Sequence, residues 1–152
     1  MPLALHLDLL SLARRYAAEP DEWAFAPRFD PTQRWYARLA VTDDHEVWLL
    51  TWLPGQGTDL HDHGGSAGAF TVVSGEVTEE IVGRDGSLTR ANYAIGDGHA
   101  FGPHHVHRIV NTSGRPAVTV HGYGPVLRSM TRYRLAAGEL IAEDMTEAGA
   151  DW

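Results

Sequence analysis

The sequence predicts an all-β protein, a small barrel or jelly roll with short N-terminal helices packed on its outside. From Trp35 onward the chain breaks into short runs rich in Val, Thr, Tyr and Trp, interrupted by Gly, Pro, Asp and Asn at the intervals of β structure. Upstream of that point the one clear periodicity is helical. With 152 residues, 43% hydrophobic and 21% charged, the chain is large enough to bury one core and too apolar to stay disordered. Many short strands behind a helical preface favour a closed or two-layered sheet. A single domain is expected over 1–152, with a helical preface at 1–34, a barrel at 35–135 and a peripheral tail at 136–152.

Leu5, Leu9, Leu12, Ala13 and Tyr16 recur at helical spacing, with Asp8, Arg14 and Arg15 between them, so the chain opens on an amphipathic helix that Pro20 ends. The stretch 21–33 carries Trp23, Phe25 and Phe29 but also Pro27 and Pro31, and reads as a short helix or loop lying against the body. Strands are expected at 36–41, 46–52, 69–73, 76–82, 88–93, 105–111, 117–123 and 127–133. Turns are expected at Ser74-Gly75, Arg84-Asp85-Gly86, Gly96-Asp97-Gly98 and Thr112-Ser113-Gly114. The Ala-rich, acidic segment after Leu135 reads as peripheral, and neither an internal repeat nor a low-complexity linker divides the chain.

Twelve basic against twenty acidic residues give a formal net charge of -8, a field that repels phosphate backbones and anionic lipid surfaces. Nucleic acid and membrane are therefore excluded as expected partners. No apolar run approaches the roughly 20 residues needed to cross a bilayer, and the leucine-rich start carries Asp8 and lacks a basic region, so a cytoplasmic address is expected. A monomer or simple homo-oligomer is expected. The absence of cysteine removes disulfides, thiolate ligands and a cysteine nucleophile, so any metal must be held through nitrogen or oxygen.

The chain has nine histidines, and six of them, His61, His63, His104, His105, His107 and His121, fall in two glycine-flanked stretches. His61 and His63 are two apart, so on an extended strand both imidazoles face one side and can share a metal ion, with Asp62 on the other side. Five residues separate Gly55 from His61, and Gly75 follows at the spacing of a closing glycine. This resembles the first cupin motif, except that Ala67 and Gly68 stand where that motif usually supplies an acidic ligand. Downstream, Gly96-Asp97 and His107-Arg108-Ile109-Val110-Asn111 resemble the second motif, with its proline and glycine displaced to Pro103 and Gly102. His107 becomes the third ligand; His105 shares its strand parity and is its rival, but the asparagine four residues on favours His107. His99 and His104 read as loop or capping residues, and His6 and His45 as structural or exposed.

Three histidines without the glutamate resemble the cysteine dioxygenase type I family of the cupin superfamily, in its bacterial, arginine-bearing form. The segment Thr119-Val120-His121-Gly122-Tyr123-Gly124-Pro125 resembles that family's His-x-Tyr-x-Pro stretch, and Tyr36-Ala37-Arg38 its Tyr-x-Arg. The likeness covers about Trp35 to Pro125. It implies a cupin fold, Fe(II) on His61, His63 and His107, and oxidation of L-cysteine by O2 to cysteine sulfinic acid. It also implies that Arg38, Tyr36 and Tyr123 bind substrate and that Tyr123, His121 and Thr119 take part in catalysis. Some members carry a cysteine near Gly68, thioether-linked to the tyrosine matching Tyr123; that cross-link cannot form here.

Elementary chemistry agrees with such a site. Three neutral imidazoles leave a divalent cation its full charge, which favours an anionic substrate and stabilises thiolate over thiol. Arg38 can donate two parallel hydrogen bonds to a carboxylate. His121, between Thr119 and Tyr123 on one strand face, can hold the phenol. The plainer readings are that Arg38 is an edge-strand surface residue and Tyr123 core filler. Trp35, Trp48 and Trp52 read as core and barrel-mouth packing, and Gly64-Gly65 lacks the lysine and helix of a phosphate cradle. Imidazole also suits Zn, Ni and Cu, so iron rests on the resemblance. The competing functions are a dioxygenase of 3-mercaptopropionate or cysteamine, a Mn, Zn or Ni cupin isomerase or decarboxylase, and a non-enzymatic metal-binding cupin.

Overall fold

The computed structural model describes residues 8–147. It opens on helix α1 (Leu9–Ala17) and a single 3₁₀ turn (Pro20–Glu22), followed by irregular chain to residue 35. Eleven strands follow among the described residues: β1 (Tyr36–Val41), β2 (Glu46–Trp52), β3 (Leu60–His61), β4 (Ala67–Ser74), β5 (Val77–Val82), β6 (Leu88–Tyr93), β7 (Gly98–Phe101), β8 (His107–Val110), β9 (Ala117–Gly124), β10 (Ser129–Ala136) and β11 (Glu139–Glu147). They form two antiparallel sheets, one ordered β1-β2-β9-β4-β7 and the other β11-β10-β3-β8-β5-β6, in the cupin arrangement. No helix among the described residues is long and apolar enough to cross a membrane.

Strand β2, EVWLLTW, is buried along its whole length because both of its faces are covered. Trp48, Leu50 and Trp52 point into the space between the sheets, where they pack with Phe70, Phe101, Ile109 and Tyr123. Val47 and Leu49 point the other way and meet Val118, Val120 and Ala13 of α1. Each such side chain contributes about 1.5–3 kcal/mol when fully buried, which explains why α1 stays on the sheet. The helix starts where Asp8 accepts a hydrogen bond from the Ser11 amide at 3.1 Å, and Arg14 and Arg15 occupy its last turn, where cations suit the helix dipole. Leu5, assigned from its spacing to this helix, lies outside the described residues, as does His6.

Three strands have no counterpart in the sequence reading. β3 has only two residues and no run of β-favouring side chains to reveal it. β7 begins at Gly98, inside the segment expected to be a turn; the turn itself is at Gly96, whose φ of 87° suits glycine. The segment expected as a peripheral tail at 136–152 forms, through residue 147, the outer strand of its sheet. There Ala137 and Gly138, both at positive φ, turn the chain back and β11 pairs with β10 from Glu139 to Glu147. Its acidic composition reflects an edge strand facing water and hid the strand from a composition argument. Strand β4 runs longer than expected and β8 shorter, so His105 precedes the strand that holds His107.

Candidate metal centre

The three-histidine cluster forms where β3 is held between β10 and β8. His61 lies directly opposite His107 in the β3–β8 ladder. Asp62, pointing away from the histidines, locks the segment to β10: its carboxylate accepts from the Thr131 amide at 3.0 Å and from the Tyr133 hydroxyl at 2.7 Å. Asn111, fully buried, closes the other end of β8 by donating to the Trp52 carbonyl at 2.9 Å and the Arg115 carbonyl at 2.7 Å.

His61, His63 and His107 converge, with ligand atoms within 4.8 Å of one another and all three rings buried. The three ring centroids are each 4.9 Å from the other two. His61 Nδ1 donates to the Asp59 carbonyl at 2.7 Å and His107 Nδ1 donates to Glu79 at 2.5 Å, which leaves the Nε2 lone pair of each ring uncommitted. Burial keeps the rings neutral: it lowers His61 to about 3, reinforced by His107, and holds His63 well below the usual imidazole range. Burial lowers His107 as well, against the pull of Glu79.

These donors fit a divalent cation. His63 Nε2 and His107 Nε2 are 3.2 Å apart, and two facing lone pairs at that distance repel unless a proton or a metal lies between them. Two nitrogens at right angles and each about 2.1 Å from one ion would be about 3 Å apart, so little movement is needed. No carboxylate belongs to this trio.

Beside the cluster, Tyr123 stacks on His63 with centroids 5.3 Å apart. Its hydroxyl is 3.3 Å from His121 Nδ1, His121 Nε2 is 2.7 Å from Thr119 Oγ1, and Thr119 accepts from Trp52 Nε1 at 2.9 Å. Burial pushes the Tyr123 phenol far up, so it stays a proton donor, and lowers His121 to about 3. The four side chains form one buried line from Trp52 to the phenol. Gly68 lies opposite Tyr123 in the β4–β9 ladder.

The structure brings Tyr36 and Arg38 together, but at a cavity of about 850 Å³ that the histidines do not line. Arg38 is half-exposed, lies over the Trp48 ring at 5.8 Å and is 3.6 Å from the buried carboxylate of Glu46. Trp48 and Leu127, which line this cavity, pack in the same cluster as Tyr123. A second arginine is closer to the histidines. Arg34 shares a cavity of about 100 Å³ with His61, Thr58 and Arg132, and its guanidinium lies 5.4 Å over the Trp52 ring. The sequence carries no signal for Arg34, because it precedes β1 in irregular chain.

Sequence reasoning also missed Glu79. His99 and His105, read as a loop residue and as the rival ligand, both turn out to bind this buried glutamate. His104 is exposed, and His45 is a half-buried residue of the β1–β2 connection, its Nδ1 3.2 Å from Thr42 Oγ1.

Residues 6–135 match the sequence profile of the family described as cysteine dioxygenase type I. Cysteine dioxygenase type 1 from Homo sapiens is 27% identical over 132 residues, covering 78% of this chain and 64% of the human protein, so the chain spans less than two thirds of that relative. The Danio rerio enzyme of the same name is 24% identical over 154 residues, covering 91% and 75% of the two chains. Among solved structures, the TT1209 protein from Thermus thermophilus has a TM-score of 0.59 at 24% identity, over 66% of this chain and 90% of that one. A Klebsiella pneumoniae protein with a double-stranded β-helix domain reaches 0.57 at 22% identity, over 82% and 93%. Oxalate oxidase in complex with the substrate analogue glycolate reaches 0.56 at 16%, over 65% and 55%. At these identities the structural likeness carries the fold alone.

Proposed function

The chain belongs to the cysteine dioxygenase type I family, and from that premise we propose that it is a non-haem Fe(II) thiol dioxygenase acting on L-cysteine. The reaction is R–SH + O2 → R–SO2H, in which both oxygen atoms enter the product and no external reductant is required. The observation that carries this reading is the convergence of three neutral imidazoles, without a carboxylate ligand, beside the buried line Tyr123–His121–Thr119.

His61, His63 and His107 would hold the iron through Nε2. When bound, the iron would supply the redox centre for O2 and a charge that favours the thiolate form of the substrate. The protein's own residues do the rest. Burial of the cluster keeps bulk water away from the reacting sulfur. His121 can donate from Nδ1 to the Tyr123 oxygen while its Nε2 accepts from Thr119, whose oxygen already accepts from the donor-only Trp52. In that arrangement the Tyr123 hydroxyl can act as a donor toward the substrate. We assign Arg38, beside Tyr36, to the substrate carboxylate, for which its planar guanidinium is suited.

One observation favours a second substrate. Glu46, 2% exposed and 3.6 Å from Arg38, already offers that guanidinium a carboxylate and would itself accept an ammonium group. A thiol that carries an amine and no carboxylate, such as cysteamine, suits that pair. Oxygen uptake by the Fe(II)-loaded protein, measured with cysteine, 3-mercaptopropionate, cysteamine and homocysteine, decides the matter. Cysteine is expected to give the highest kcat/KM; cysteamine exceeding it would favour the second substrate, and no uptake with any thiol would remove the enzymatic reading.

A further inference from the structure

Glu79 is a fully buried carboxylate, and its surroundings are unusual. Its Oε1 accepts from the Tyr93 hydroxyl at 3.0 Å and from His99 Nδ1 at 2.7 Å. Its Oε2 accepts from His105 Nε2 at 3.0 Å and from His107 Nδ1 at 2.5 Å. A carboxylate has about four lone-pair positions, so these four donors saturate it. They come from β6, from β7, from the segment before β8 and from β8 itself. The neighbouring Glu80 faces the other side of β5 and is neutralised by Arg90 and Arg108, so only Glu79 faces the histidines. Burial alone would push Glu79 up, but the imidazole donors outweigh it and hold the group well below the usual carboxylate range.

Of the four donors, His107 is the one whose opposite nitrogen faces the trio. A carboxylate that accepts the N–H of a ligating imidazole orients the ring and raises its basicity, and the loss of such a partner typically weakens metal binding by about 10–100-fold. The first histidine motif of this chain lacks a carboxylate ligand, since Ala67 and Gly68 occupy its place. We propose that Glu79 is a positioning residue that delivers negative charge to the metal centre through His107, in place of the missing carboxylate ligand. Tyr93, His99 and His105 then act as brackets that share its charge and set how much reaches His107. This inference rests on the reading of His61, His63 and His107 as metal ligands.

A purely structural Glu79 and a charge-delivering one differ in sign. The test is the Fe(III)/Fe(II) midpoint potential of the loaded full chain, together with its Fe(II) affinity, in the wild type, Glu79→Gln and His105→Phe. His105 stacks on Phe101 at 4.5 Å, so phenylalanine retains that packing while removing a donor from Oε2. Glu79→Gln is expected to weaken Fe(II) binding by about 10–100-fold. It should also raise the potential, by about 59 mV for each tenfold by which ferric binding is weakened more than ferrous. His105→Phe concentrates the carboxylate's charge on His107 and is expected to lower the potential. Shifts of the same sign in both variants, or a Glu79→Gln protein with wild-type affinity and potential, would overturn the proposal while leaving the three-histidine site intact. Should Glu79→Gln not fold, the sign of the His105→Phe shift alone decides. Two metal ions per chain, the second lost in His105→Phe, would overturn it by making Glu79, His99 and His105 a metal site of their own. A wild-type chain that binds no Fe(II) would remove the underlying site as well.

Discussion

Replacing Gly68 with alanine tests how tightly the aromatic wall of the site is packed. A Cβ at this position would lie 2.6 Å from two atoms of the Phe101 ring and 2.9 Å from Tyr123 Cδ1, against 3.4 Å or more for ordinary contact. Phe101 must therefore retreat by about 0.8 Å, although His63, His105 and His107 pack around it with centroids 4.5–4.9 Å away. Overpacking of this kind costs about 1–3 kcal/mol. The backbone there is not in the left-handed region, so alanine also gains about 0.4–1 kcal/mol by restricting the unfolded chain. The middle of the two ranges leaves a net loss of about 1.3 kcal/mol, and for a chain of this size that lowers Tm by about 3–5 °C. Thermal unfolding of the metal-free protein measures it, with Gly114→Ala as the control, since nothing lies within 4 Å of a Cβ at Gly114. An unchanged or higher Tm for Gly68→Ala would refute the packing argument.

His61→Ala and His107→Ala are each expected to abolish stoichiometric Fe(II) binding, read as metal per chain; retention in both would show that the ligands are misassigned. Arg38→Gln should raise KM for cysteine several-fold more than for cysteamine, and an equal effect would remove Arg38 from the carboxylate site. Tyr123→Phe is expected to lower kcat by about 100-fold or more at unchanged iron content, the scale of a lost proton donor; an unchanged rate would reduce the tyrosine to packing. The metal-free protein should lose stability as pH falls. His61 and His121 are depressed to about 3 in the folded chain, whereas an unfolded imidazole titrates near 6.5, so the unfolded state binds more protons between those values. The stability is thus fully present above about pH 6.5 and declines towards pH 3; urea midpoints at pH 7.5 and 5 that do not differ would contradict it.

Much of the fold was legible because strand formation here is local. β1, β2 and β6 begin and end where their Val, Leu, Thr and Tyr runs do, since each run is bounded by turn residues that can be recognised without knowing its partner. The pair His61 and His63 was legible for the same reason: a period of two puts both rings on one face wherever the strand goes. β3, β7 and β11 were not, because a two-residue strand, a glycine start and an acidic edge strand acquire their conformation from the neighbour they pair with.

The sequence alone determined which side chains are available for chemistry: a His-x-His pair, a third histidine marked by Asn111, an alternating Thr-His-Tyr strand, and no cysteine. Tertiary structure alone decided how they are connected. Glu79 has no motif, yet four donors lying 14 to 28 residues further along the chain converge on it. Arg34, four residues before Arg38, shares a cavity with His61, while Arg38 sits beside Glu46. Charge and hydrogen bonding act through space over a few ångströms, and in a two-sheet fold the residues at those distances are set by which strands pair, information that no single stretch of chain contains.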